Sequence, residues 1–146
     1  MDRTWVLLAH RGGARLYGQD RQGGPLRHMQ DIPHPEGRLK NREITADKEG
    51  RLFDSFHSRH TVGRASDPKE QLAVEFARHL ADLLQRGRTS GEFEHLVLVA
   101  DPHFLGDLRA ALDAHTAKLV TGSLAKDLYE VPEQDLPDHL RGLLKL

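Results

Sequence analysis

The chain has 146 residues, of which 38% are hydrophobic and 29% charged, a size and balance that predict a single globular domain over residues 1–146. The net charge of -1 at pH 7 excludes an overall field strong enough to draw the protein onto nucleic acid or an anionic membrane. Cysteine is absent, which excludes disulfides, thiolate nucleophiles and cysteine-ligated metal centres.

The amino-terminal part has the pattern of three short strands joined by glycine turns. The unbroken apolar run 5–9 predicts a buried strand that enters a turn at glycines 12–13 and returns through 14–17. A second turn at glycines 23–24 precedes a weaker strand pattern over 26–32. The first run is also too short for a signal-peptide core or a membrane span, so we expect a cytoplasmic protein with no membrane association.

Residues 33–66 lose this pattern, because their few apolar residues are scattered among charged residues, proline and glycine. A segment of this length predicts an exposed loop that is functional or mobile. Its seven basic residues, Arg51 among them, could contact RNA phosphates or an acidic partner. Five acidic residues are interleaved with them, which favours a solvated loop of mixed charge.

A long helix is predicted directly after this loop. Asp67 can cap it, Pro68 suits its first position, and Glu70 can complete a capping box. Apolar residues then recur at helical spacing until Gly87, which is placed to end the helix.

The remaining pattern alternates strand and helix. The apolar run 96–100 predicts a strand covered on both faces, and Asp101 followed by proline predicts the cap of the next helix. Residues 117–121 are compatible with a further strand. The leucines from Pro132 onward predict a closing helix, whose first turn Pro137 can mark.

The resulting order is β-β-β-α-β-α-β-α, an α/β class with a mixed sheet, because the later strands require parallel crossovers. This is the order of the ribonuclease H-like fold and of the middle domain of archaeal and eukaryotic class-one release factors. A shared fold says little about activity, so function has to come from sites.

Known catalytic sites of these folds are not supported by the residues. A two-metal nuclease needs converging carboxylates, but strand 5–9 carries none, and Asp101 and Glu75 are explained as a cap and a solvated helix residue. Neither glycine pair is followed by the glutamine of a release factor. The histidines His28, His34, His57 and His60 lack metal-ligand spacing and are best explained as solvated. We therefore expect no catalytic residue, no metal and no cofactor.

Two histidines lie at predicted strand ends, where open α/β sheets tend to bind ligands. His10 follows the first strand and His103 follows the later strand 96–100, so the two could flank one crevice with Asp101. Arg11 and Arg15 surround the first glycine pair and could hold an anion. The tentative binding residues are His10, Arg11, Arg15, Arg51, Asp101 and His103.

The whole chain resembles the bacterial host-attachment protein family, whose members are described as required for attachment to host cells. The residues that carry this resemblance are 5–9 (WVLLA), 14–17 (ARLY), 50–55 (GRLFDS), 67–70 (DPKE), 76–77 (FA), 96–102 (LVLVADP), 104–109 (FLGDLR) and 126–128 (KDL). His10 departs from the family, where an acidic residue often follows the first strand.

The resemblance implies a fold related to the release-factor middle domain and no catalytic residue that can be transferred. We expect a non-enzymatic, cytoplasmic interaction protein with an unidentified protein partner and an indirect role in attachment. An RNA- or ribosome-associated factor is the first alternative, and an uncharacterised hydrolase using the same strand ends is the second.

Overall fold

A computed structural model describes residues 3–34 and 67–144. The strands and helices, in chain order, are β1 Thr4–His10, β2 Gly13–Gln19, β3 Arg27–Pro33, α1 Pro68–Thr89, β4 His95–Ala100, α2 Pro102–Ala111, α3 Ala114–Ala117, β5 Val120–Ala125, the 3₁₀ turn Glu133–Asp135 and α4 Leu136–Leu140. The predicted exposed loop 33–66 lies outside the described residues except for Pro33, the last residue of β3, and His34.

The five strands form one mixed sheet in the order β3-β2-β1-β4-β5. β1, β2 and β3 are antiparallel neighbours joined by short turns, whereas β4 lies parallel to β1 and β5 lies parallel to β4. Parallel neighbours need a crossover, and here the helices supply it. The predicted α/β class with a mixed sheet is confirmed.

Each face of the sheet is covered by a different layer. Helices α1 and α2 pack over one face around Leu7, Leu98 and Phe104, which are buried completely. The segment after β5 covers the opposite face, where Leu136 and Leu140 pack on Val97. Burying both faces explains why β1 and β4 are unbroken apolar runs.

Helix α1 begins as predicted but continues past its predicted end. The Asp67 carboxylate accepts the Lys69 amide at 2.9 Å, and the helix runs to Thr89. The prediction that Gly87 ends the helix is wrong, because Gly87 is buried inside it and packs against the ring of Trp5. This glycine is needed for close approach of the helix to the sheet.

The last two predicted elements are shifted or shortened. A short helix, α3, occupies 114–117 because Asp113 caps it through Thr116, so β5 begins three residues later than predicted. The closing helix extends only over Leu136–Leu140, with Pro137 in its first turn as expected. Gly142 has a φ of +93°, a conformation that cannot continue a helix.

Glycine is present at the two predicted turns for different physical reasons. Gly23 adopts a φ of +83°, as expected for a turn glycine. Gly12 and Gly13 also form a turn, but neither is among the described glycines with positive φ. Gly13 is instead required by packing, since a Cβ there would lie 2.6 Å from the Tyr129 hydroxyl oxygen.

No helix in residues 3–34 or 67–144 combines the length and the apolar character needed to cross a membrane.

Candidate binding site

His10 lies at the carboxyl end of β1 and continues the face that buries Val6 and Leu8. Its imidazole Nδ1 accepts the Gly12 amide hydrogen at 2.6 Å, which makes the ring part of the β1–β2 turn. The ring also meets Tyr129 edge to face, with the two ring centroids 3.9 Å apart. His10 is therefore held by both the turn and the layer that follows β5.

Tyr129 is the centre of this site and was not singled out from the sequence. The carboxylate of Asp127 accepts the Tyr129 amide at 3.1 Å, and the neighbouring Leu128 is anchored in the core. Gly13 leaves room for the Tyr129 hydroxyl on the strand. The local turn signal at Asp127 was visible in the sequence, but the contact between positions 13 and 129 was not.

Arg15 also packs on the Tyr129 ring. Its guanidinium carbon is 4.9 Å from the Tyr129 ring centroid, a cation–π arrangement. Burial acts to lower the pKa of Arg15, but its interactions with Tyr17, Tyr129 and Asp31 outweigh burial and raise that pKa. Across residues 3–34 and 67–144, Arg15 forms no ion pair. The site therefore carries a permanent, partly desolvated positive charge.

Tyr17 lies beneath Arg15 on β2 and is almost completely buried. Burial raises the pKa of its hydroxyl, and the nearby Arg15 guanidinium partly offsets that rise. The hydroxyl oxygen lacks a hydrogen-bond partner of suitable geometry among the described residues. The Tyr17 ring lines a cleft of about 570 Å³, bounded by the 23–26 turn and by Glu133 to Pro137, but the buried hydroxyl does not reach its open side.

Asp101 and His103 belong to the opposite layer. Asp101 accepts the Phe104 amide at 3.0 Å and so caps α2, as its position after β4 predicted. His103 lies 3.9 Å from the Glu70 carboxylate of α1, so Glu70 faces the second helix. The structure does not bring His10 and His103 into contact. His103 is on α2, which covers one face of the sheet, and the His10 side chain is on the opposite face.

Replacing Asp101 by alanine is expected to lower the free energy of unfolding by about 1 kcal/mol, because the first turn of α2 loses its capping acceptor. Asp101→Asn keeps an acceptor and should stay within a few tenths of a kcal/mol of the wild type. Urea unfolding of both variants measures the difference. Equal losses in both would show that charge, and not capping, is the role of this residue.

His34 and Arg11 form a separate contact at the end of the meander. The Arg11 carbonyl lies 2.7 Å from His34 Nδ1, and the His34 ring stacks on Phe76 with centroids 4.2 Å apart. The expectation that His34 is a solvated surface histidine is therefore wrong, because α1 supplies an aromatic partner that the sequence pattern did not reveal. Arg51, His57 and His60 lie outside the described residues.

The geometry combines a guanidinium, an imidazole and a phenol ring at one corner of the sheet. Such a set can bind carboxylate or phosphate oxygens and can stack on planar groups. Within the described residues, no three histidine, aspartate or glutamate side chains are grouped as metal ligands would be. The fold and this corner define an α/β protein with a basic and aromatic cluster at one end of its sheet.

The chain belongs to the family described as "Protein required for attachment to host cells", whose model matches residues 5–140. This match confirms the resemblance that the sequence motifs indicated. No curated protein matches the chain at a significant level.

Two solved structures resemble the chain at low sequence identity. A structure described as "Archaeal protein" has a TM-score of 0.50 at 9% identity, and the match covers 96% of this chain and 33% of that chain. The crystal structure of the archaeal translation termination factor aRF1 has a TM-score of 0.44 at 9% identity, covering 83% of this chain and 29% of that chain. The second likeness is too weak to carry an argument, and the first concerns fold alone. This chain spans about a third of the length of either protein.

Proposed function

We propose that this family member is a non-enzymatic binding protein that acts in the cytoplasm and influences attachment to host cells indirectly. Its contact surface is the strand-end cluster, which comprises His10, Arg15 and Tyr129. The observation that supports this proposal is the Arg15 guanidinium, which lies over the Tyr129 ring without an ion-pair partner in residues 3–34 and 67–144. A cation held in this way is suited to binding and supplies no nucleophile.

The charge of the cluster favours an acidic surface on a protein partner. A guanidinium presents parallel N–H donors that match a carboxylate, and partial burial strengthens that interaction because water screens it less. Stacking on Tyr129 restricts the Arg15 side chain before a partner arrives, which reduces the entropy lost on binding. Arg11 follows His10 in the chain and adds a second positive charge near this end of the sheet.

The test is affinity capture of the tagged protein from its native cytosol at low salt, with mass spectrometry of the captured proteins. Arg15→Met keeps the side-chain stem and removes the charge, and we expect it to reduce capture of a discrete partner about tenfold. Arg78→Met is the matched control, since Arg78 is exposed on α1, which covers the face of the sheet opposite to this cluster. Equal capture by both variants would contradict the proposed surface.

Catalysis and location are tested separately. The wild type is expected to show no turnover in assays with phosphate esters, acyl esters and RNA. His10→Ala and Asp101→Asn should therefore cause no loss of activity. Turnover that either change abolishes would favour the hydrolase alternative. Fractionation of native cells should place the protein with cytoplasmic markers, and recovery outside the cytoplasm would overturn that part of the proposal.

RNA or the ribosome is the alternative partner, and the side chains of Arg15 and Tyr129 are compatible with it. An arginine stacked on an aromatic ring can contact a phosphate while the ring stacks on a base. Capture that is lost after ribonuclease treatment, together with salt-sensitive migration with ribosomes on sucrose gradients, would replace the protein partner with this one. Capture that survives ribonuclease supports the protein partner.

A further inference from the structure

The two edges of the sheet are built differently. β3 forms one edge and carries features that discourage another strand from pairing with it: a register irregularity opposite Leu16 and Tyr17, the terminal Pro33, and the exposed charges of Arg27 and Asp31. Irregularities, proline and charge are the common means by which natural edge strands avoid unwanted pairing.

β5 forms the other edge and shares only one of these features, a register irregularity at Thr121 opposite Leu96 and Val97. Its six residues, Val120–Ala125, include no charged residue and no proline. Leu143 packs near Gly122 on one face, and Arg109 donates a hydrogen bond to the Ser123 hydroxyl from the other. Along residues 3–34 and 67–144, β4 is the only strand that pairs with β5. Within these described residues no strand covers the outer amide and carbonyl groups of β5, so this edge can pair with a further strand.

Positive charges lie near both ends of this edge, where the exposed Asp127 also follows Lys126. Lys118 precedes β5 and Lys126 follows it, and both are exposed, as is Arg109 over the middle of the strand. None of the three belongs to an ion pair in the described part of the chain. An uncharged strand with cations at both ends is complementary to an extended segment with an uncharged centre and acidic ends.

We propose that the β5 edge binds an extended acidic peptide segment of a partner protein by strand addition. Backbone hydrogen bonds to β5 would supply the general affinity, and Lys118 and Lys126 would select acidic ends. A second copy of this chain fits poorly, because antiparallel pairing of two β5 strands about Gly122 places Lys118 opposite Lys126. Six paired residues span roughly 20 Å, so a segment of about eight residues is sufficient.

The probe is a capped peptide, Glu-Glu-Val-Thr-Val-Thr-Glu-Glu, with Lys-Lys-Val-Thr-Val-Thr-Lys-Lys as its charge-reversed control. NMR titration of the ¹⁵N-labelled full chain should show binding of the acidic peptide and little binding of the basic one. Strand addition also predicts that alternate amides of β5 become protected from hydrogen exchange while those of β3 do not. Absence of binding, or binding without added protection in β5, would overturn the proposal.

Charge variants test the selecting residues. The double change Lys118→Glu and Lys126→Glu should weaken binding of the acidic peptide about tenfold. The control double change Arg21→Glu and Arg78→Glu makes the same change in net charge at exposed positions away from β5 and should have little effect. Equal weakening by both would show a long-range charge effect and contradict a site at β5.

This site is independent of the strand-end cluster. Arg15→Met should leave peptide binding at β5 unchanged, so either proposal can fail without the other.

Discussion

Replacing Gly87 by valine is expected to lower the free energy of unfolding by about 3 kcal/mol. A Cβ at this position would lie 2.4 Å from Cη2 and 2.6 Å from Cζ3 of Trp5, and 3.2 Å from Cε1 of Phe93. Both rings are buried and pack together with centroids 4.6 Å apart, so neither can move aside at low cost. Urea unfolding monitored by Trp5 fluorescence and by circular dichroism measures the loss.

The matched control is Gly106→Val in helix α2. A Cβ at Gly106 meets no described atom within 4 Å, and the residue is exposed. Its replacement should change the free energy of unfolding by less than about 0.5 kcal/mol, because valine forms helices slightly better than glycine does. The double variant Gly87→Val and Trp5→Leu should lose about 1 kcal/mol less of its free energy of unfolding than the two single variants lose together. Equal losses at the two glycines would contradict close packing of α1 on Trp5.

Replacing Leu140 by alanine is expected to cost about 3 kcal/mol, within the range observed for leucines removed from protein cores. Leu140 is completely buried, and it packs in the same cluster as Val97 and Leu128. Removing its side chain leaves a cavity that a five-residue helix can close only partly. Urea unfolding gives the change in stability, and proton NMR of the Tyr129 ring reports whether the layer loosens.

Leu143→Ala is the control for this change, because Leu143 is only half-buried and packs at the margin of the cluster. Its expected cost is about 1 kcal/mol, in proportion to the smaller apolar area removed from water. A loss at Leu140 no larger than the loss at Leu143 would mean that the segment after β5 is not a packed layer. The support for Tyr129, and with it the strand-end cluster, would then be in doubt.

Local residue patterns predicted most of the elements. Unbroken apolar runs indicated β1 and β4 because strands covered on both faces have no polar side to display. The starts of α1 and α2 were predictable because aspartate followed by proline satisfies the first turn of a helix without help from distant residues. The helix over 114–117 was missed although its cap by Asp113 is equally local, because no proline follows that aspartate and four residues are too few to show a helical period.

The candidate site was predictable only in part. His10 was identified from its position at a strand end and Arg15 from its place beside the first glycine pair. Tyr129 follows them by more than a hundred residues and has no pattern that links it to them. His103 and Asp101 were expected to share a crevice with His10. The register of β4 beside β1 would put Asp101 on the same face as His10. The chain instead turns into α2 at Asp101, and that helix carries His103 in the layer over the opposite face.

The sequence by itself determined the mixed α/β sheet, the two capped helix starts and membership of the host-attachment family, because these depend on neighbouring residues or on a pattern spread over the chain. Only the tertiary structure decided that Gly87 lies inside a helix, that Gly13 makes room for Tyr129, and that Arg15 lies over that ring without an ion pair in the described residues. These contacts join residues far apart in the chain, and they form because burying both faces of one sheet brings separate layers together.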